Sequence, residues 1–384
     1  MRPLRVLHMP INLRYIMDAI IEGQTLLGIE SKTFILSTFC IDDPKTRPVY
    51  HPPALERSSL RGYLSFFKRL YVFLGRYIKL LLWADVVHWQ FSNRFWSESS
   101  RLRRIDFALL RLLRKPAIVQ FHGSDIRENK KRAEVVSWWS EAFDPEFAEK
   151  LDIAAARTQR EFAKANFVFA VSYGMFPSIW PENLERSTLL ERSVDMSTLV
   201  PCVHDDVNKS PVVIMHSPSS AQVKGTKYVL AAIEEIGTIR DIEFVLLQDL
   251  PRDEVIERLG DADIVVDQLL GENYGLASVE ALARGSVSIA NLSQRMRDLY
   301  PSDLPIVSAN PDTIKEVLLD LIDNPQKRIA LARQGYGYVE HVHSFEATIP
   351  QTLEAYRLAA QGKGRRRVVK RINETLDHHT RSTP

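Results

Sequence analysis

Asp263–Gly285 reads DIVVDQLLGENYGLASVEALARG. Ile264–Val266 is a short unbroken apolar run, the kind that forms a strand buried on both faces. A polar turn follows. Gly275 then opens a helical pattern whose apolar positions include Leu276, Val279 and Leu282. Glu272 stays in the loop before the helix, and Glu280 stands on its second turn, with seven residues between the two. A helix N-terminus presents N–H groups and the positive end of the dipole, which suits phosphate. A loop carboxylate can accept hydrogen bonds from sugar hydroxyls. One deeper in the helix can accept two from a ribose diol.

Working outward, short apolar runs alternate with longer helical patterns, which predicts an α/β protein with parallel sheets covered by helices. Expected strands in the first half are Leu4–His8, Ser31–Leu36, Val86–Phe91, Ala117–Phe121 and Phe167–Val171. In the second half they are Val212–His216, Glu243–Leu247, Ile264–Val266 and Val287–Ile289. The turn-rich stretch 191–210 keeps neither period and reads as a linker between two α/β domains. Polar residues gather just after strands, at His122–Asp125 and His216–Ser219. Ligands of open α/β sheets bind beyond the carboxyl ends of strands, so two such edges facing each other predict an interdomain cleft.

Composition narrows the class. The chain has 384 residues, enough for two or three domains, with 45% hydrophobic and 26% charged residues. A net charge of +2 gives no nucleic-acid signature, and none is expected as a specific partner. Two cysteines, Cys40 and Cys202, argue against a disulfide framework and suit a reducing cytosol. The opening MRPLRVLHMP lacks the apolar stretch of a signal peptide, so a cytoplasmic location is expected.

The E-x7-E spacing followed by A-L-A-x-G resembles the donor-site signature of retaining GT-B glycosyltransferases, the family 4 group and its relatives. That resemblance implies two Rossmann-like domains around a cleft: 1–190 for the acceptor, 191–350 for the nucleotide-sugar donor. It further implies a helix at 351–361 that crosses back to the first domain. Glu272 would meet the donor sugar and Glu280 the nucleotide ribose. In HSPSSAQVKGT, His216–Thr226, Lys224 and Gly225 lie where the family places a phosphate-binding lysine. In FHGSDIR, Phe121–Arg127, His122 corresponds to a histidine near the donor sugar.

The expected site therefore has His122, Lys224 and Glu272 as its catalytic residues. Lys224, Gly225, Gly275, Leu276 and Glu280 would bind the nucleotide sugar, while Asn12, Arg14 and Asp125 are candidates for phosphate or acceptor contacts. Asp125 could instead cap a helix starting near Ile126. Arg127 could reach a phosphate, and an exposed arginine explains it nearly as well. Asp195, in LLERSVDMSTLVP, reads as a hinge cap. No metal site and no cofactor are expected.

The chain departs from the family pattern twice. The first loop, Met9–Asp18, has no glycine pair. No arginine precedes Lys224, where Ser219, Ser220, Ala221 and Gln222 stand instead. Losing one charged contact to a phosphate could cost on the order of 2–3 kcal/mol.

Two further segments bear on partners. Leu60–Trp83 carries five basic residues and no acid beside a wide apolar face. It could cover the first sheet, lie on an anionic membrane surface, or do both. The basic tail 362–384 reads as a disordered extension.

The implied activity is transfer of a sugar from a nucleotide-diphosphate donor to a glycan or lipid-linked acceptor. It would serve cell-surface polysaccharide or glycolipid synthesis, with peripheral attachment at the inner membrane face. The alternatives are a catalytically weak or inactive GT-B protein that binds a nucleotide sugar or a partner subunit, and a sugar-nucleotide epimerase of the same architecture.

Overall fold

The structure is a computed structural model describing residues 2–12, 16–38, 49–50, 60–90, 105–164, 167–184, 186–202 and 205–360. Arg14, Cys40 and the basic tail lie outside them.

Thirteen strands are described: β1 Arg5–Met9, β2 Ile11–Asn12, β3 Glu30–Thr33, β4 Ser37–Thr38, β5 Val86–Gln90, β6 Ala117–Gln120, β7 Val168–Val171, β8 Ser187–Leu189, β9 Val212–His216, β10 Ile242–Leu246, β11 Ile264–Gln268, β12 Val287–Ala290 and β13 Val307–Ser308. They form two main sheets, ordered β3-β1-β5-β6-β7-β8 and β10-β9-β11-β12-β13, and a small ribbon of β2 and β4. Every pairing is parallel. Both sheets are doubly wound, and strand order reverses between β1 and β5 and again between β9 and β11.

Each sheet is covered on both faces, as its apolar runs require. In the first, Leu7, Val87, Trp89, Val119 and Phe169 face a core closed by Phe73, Tyr77 and Leu81 of the helix Leu60–Trp83. On the opposite face Val6, Val86, Ile118, Val168 and Ala170 pack with Tyr356. Tyr356 belongs to the helix Phe345–Ala360, which follows the second half in sequence yet packs on the first sheet. A Cβ at Gly23 would sit 2.6 Å from Ile349, so the glycine permits this approach.

β8 and β13 were not expected. They have three and two residues, too few for a legible apolar run. β8 completes the first sheet immediately before the linker, and Val194 in the linker bridges to Ser344.

The helix Leu60–Trp83 is docked by one narrow stripe. Phe73, Tyr77 and Leu81 are buried, while Leu64, Phe67, Tyr71, Val72 and Leu82 are exposed beside the exposed Lys68, Arg69, Arg76 and Lys79. Among the described residues no helix is long and apolar enough to cross a membrane.

Candidate active site in the cleft between the sheets

The carboxyl ends of the two sheets face a shared cavity of about 770 Å³. The first half lines it with His122 and Arg127, the linker with Arg192, and the second half with Ser219, Ser220, Lys224, Asn273, Gly275 and Leu276.

Lys224 ends a short helix, Ala221–Lys224, whose N-cap Ser220 accepts from the Val223 N–H. Gly225 follows at φ +76°, a left-handed turn that glycine adopts without strain, and starts the helix Thr226–Gly237. The Lys224 ammonium is 13% exposed and lies 2.5 Å from Asp267 Oδ1 and 3.0 Å from Gln268 Oε1. It is a held charge rather than a solvated loop lysine.

Asp267, at the end of β11, organises the centre of this half. Its Oδ2 accepts from the Gly275 N–H and, at 2.8 Å, from the Ser278 hydroxyl. Burial pushes its pKa up, but the Lys224 charge and these hydrogen bonds outweigh burial and hold it below the ordinary carboxylate range. The N-terminus of the helix Leu276–Ala283 is thus already capped by the protein's own anion. The Asp267 carboxylate takes the Gly275 N–H of that N-terminus, and Gly275 itself lines the cavity. Leu276 still lines the cavity.

His122 follows β6 on a loop held by Asp125. The Asp125 carboxylate accepts from the backbone N–H of His122 at 3.2 Å and of Gly123 at 2.8 Å. It caps no helix at Ile126, because the next helix starts only at Asn129. It braces the His122 loop instead. Burial pushes the Asp125 pKa up to about 6 against those hydrogen bonds. His122 Nε2 lies 2.9 Å from Gln90 Oε1. Burial, then the nearby Arg192 charge, pushes the imidazole down to about 3, so it is neutral at physiological pH.

The two glutamates stand at the margins. Glu272 is 6% exposed, with its Oε2 3.4 Å from Arg295 Nη2. It lines a neighbouring cavity of about 450 Å³ with Trp138, Asn291, Ser293 and Asn310. The loop carrying it contributes to both cavities through Asn273 and Gly275. Glu280 is buried, and its Oε1 accepts from Arg252 Nε at 2.9 Å and pairs with Nη2 at 2.8 Å. Burial pushes its pKa up, opposed by Arg252. Asn12 falls in β2.

Arg192, Gln90 and Asp267 were not picked out from sequence. Arg127, which from sequence could reach a phosphate or be merely exposed, lines the cavity. It is half-buried, lies 4.7 Å over the Trp139 ring, and burial with the neighbouring Arg132 pushes it down to about 9. The only sequence signal for it is its place two residues beyond Asp125. Arg192 has the signal of following β8, which was itself unseen.

Among the described residues no group of three or more His, Cys, Asp or Glu could hold a metal ion. Asp261-Ala262-Asp263 has D-x-D spacing, but Asp263 Oδ2 takes the Val213 N–H at 2.9 Å and Lys209 at 2.8 Å. Asp263 precedes β11, at the sheet edge opposite the cleft.

No protein-family model matches the chain. It is similar along 93% of its length to sucrose-phosphate synthase from Thermosynechococcus elongatus, at TM-score 0.58, 12% identity and 98% of that chain. It is also similar to WaaG, a glycosyltransferase involved in lipopolysaccharide biosynthesis, at TM-score 0.53, 11% identity, and 92% and 98% coverage of the two chains. HepE from Anabaena, in complex with UDP, matches at TM-score 0.50, 11% identity, and 92% and 100% coverage. Two parallel doubly wound sheets around a cleft, with these likenesses, make the fold GT-B. In sequence, 174 residues are 26% identical to D-inositol 3-phosphate glycosyltransferase of Corynebacterium urealyticum, covering 44% of this chain and 38% of that protein. Another 24% match over 176 residues is to MMP alpha-(1->4)-mannosyltransferase of Mycolicibacterium hassiacum, covering 38% and 43%. The chain thus matches less than half the length of these curated relatives.

Proposed function

We propose that this protein is a retaining glycosyltransferase that takes a sugar from a nucleotide-diphosphate donor to a glycan or lipid-linked acceptor. The observation that carries the reading is the cavity at the carboxyl ends of both sheets, lined by Arg127 from the first half, Arg192 from the start of the linker and Lys224 from the second half. Three cations converging on one cavity suit a diphosphate. Arg127 and Arg192 stand in for the arginine that does not precede Lys224. The complex of HepE with UDP and the two curated glycosyltransferases support the same donor class.

In this scheme the protein positions the donor and stabilises charge. Lys224 and the two arginines meet the negative charge that grows on the leaving diphosphate. Neutral His122 offers a hydrogen bond to the sugar rather than a charge. Glu272 accepts from sugar hydroxyls, and Glu280, held by Arg252, receives the ribose diol. No resident metal or cofactor is invoked. Acceptance of a lipid-linked acceptor at the inner membrane face is supported by the exposed apolar and basic side chains of Leu60–Trp83.

Calorimetry with UDP, GDP and ADP, followed by hydrolysis of the matching sugar nucleotides, tests the reading. Arg127→Gln and Arg192→Gln should each weaken nucleoside diphosphate binding by roughly 10- to 100-fold, about 1.5–3 kcal/mol, and leave nucleoside binding unchanged. Wild-type protein that binds and hydrolyses none of these compounds would refute it.

A further inference from the structure

A continuous run of buried polar side chains joins the crossing helix to the cleft. His88 and Gln90 alternate with Val87 and Trp89 on β5, so they share the sheet face covered by the helix Phe345–Ala360. Gln90 is paired in register with Gln120 of β6, two residues before His122. Gln24 Nε2 donates to Tyr356 Oη at 2.8 Å, and His88 Nδ1 lies 2.5 Å from the same oxygen. Gln90 Nε2 lies 3.1 Å from His88 Nε2 and 3.1 Å from Gln120 Oε1. Gln90 Oε1 lies 2.9 Å from His122 Nε2. Tyr356, Gln24 and His88 are 0% exposed and Gln90 is 1% exposed.

With the Gln90 amide nitrogen toward His88 and its oxygen toward His122, the contacts give the following assignment. Gln90 gives its two amide hydrogens to His88 Nε2 and Gln120 Oε1. His88 then carries its proton on Nδ1 and gives it to Tyr356 Oη. Gln90 Oε1 is left to accept from His122, whose proton therefore sits on Nε2 and whose lone pair sits on Nδ1.

We propose that Tyr356 is a positioning residue for His122, acting through His88 and Gln90 to fix the tautomer and ring orientation that His122 presents to the donor sugar. This rests on the glycosyltransferase reading of the cleft. The far end of the run also belongs to a helix anchored in the other half. Ser344, next to that helix, bridges to Val194, and His343 Nε2 lies 3.0 Å from the Tyr274 hydroxyl. The alignment of His122 therefore depends on how the crossing helix sits.

Two variants test it. Tyr356→Phe removes one oxygen and keeps the ring, and Gln90→Leu breaks the run at its other end. In wild-type protein, nitrogen-15 NMR of the imidazoles should show His122 as the Nε2–H tautomer. Each variant should shift it toward a mixture, with kcat for donor turnover falling about tenfold and KM changing less than twofold. Gln90→Glu, which can still accept from His122, should recover the Nε2–H tautomer. An unchanged His122 tautomer in both Tyr356→Phe and Gln90→Leu overturns the proposal, as does a wild-type Nδ1–H tautomer. Wild-type protein without any sugar-nucleotide turnover refutes the reading of the cleft instead, and the tautomer measurement still decides the relay.

Discussion

Lys224 and Asp267 form the buried charge pair on which the donor side of the cleft turns. Asp267 is 0% exposed at its side chain, so removing Lys224 leaves a carboxylate with no cation beside it. Lys224→Met should lower stability by about 3–5 kcal/mol in urea unfolding, and Lys224→Met/Asp267→Asn should recover most of that loss. Neither variant should turn over a sugar nucleotide, because the double change restores packing without the ammonium. A cost below about 1 kcal/mol for the single change would show that the pair is solvated. At this scale the sequence tells half the story. Glu272, Gly275 and Glu280 are legible because strand, loop and helix are contiguous. Arg192, Arg127 and Lys224 converge only through the fold, and the Tyr356–His88 contact spans 268 positions, so no local pattern could announce it.

Among the elements, the helix Leu60–Trp83 carries the test of the proposed membrane attachment. Its period predicts a covering helix, and Phe73, Tyr77 and Leu81 do bury against the sheet. What the period could not say is how much of the apolar face is left over. Leu64 is 64%, Phe67 60% and Tyr71 79% exposed, next to basic residues with no acid in the helix. Such a face fits an anionic bilayer surface. The triple change Leu64→Ser/Phe67→Ser/Tyr71→Ser should abolish flotation with anionic liposomes and leave the melting temperature within about 2 °C, since these side chains contribute little to the core. Equal flotation of the variant and wild type would place any membrane contact elsewhere. β8 and β13 went unseen for a different reason, being too short to show a period while their pairing partners supply the context.

For the whole molecule, acid should be the destabilising direction. His122 and His343 are both pushed down to about 3, chiefly by burial, and His88 lies well below its ordinary value. In the unfolded chain these groups protonate near pH 6.5, whereas the folded protein keeps them neutral. Stability is therefore full above about pH 6.5 and falls as pH drops toward 3. The loss at pH 5 is about 2 kcal/mol for each of His122 and His343. Asp125, pushed up to about 6, opposes this by roughly 1 kcal/mol, and Glu191 and Glu280, raised by burial, oppose it in the same direction, because the folded form binds these protons first. Urea midpoints at pH 7.5 and pH 5 measure the balance, and His343→Gln should shrink the difference. A midpoint that rises on acidification would contradict these assignments.

The crossing helix also sets an order of events during synthesis. The first sheet is made early, but the part of one face beside the helix Ile16–Leu26 lacks its cover until the chain has been extended to residue 360. Until then Val6, Val86 and Ile118 have no cover from Tyr356, and His88 and Gln24 lack its hydroxyl. On the ribosome, the earlier-made half must wait for the crossing helix before this second face closes, while its other face is already covered by the helix Leu60–Trp83. A nascent chain stalled before the crossing helix emerges would expose a sticky, half-polar surface, the kind of species that chaperones hold.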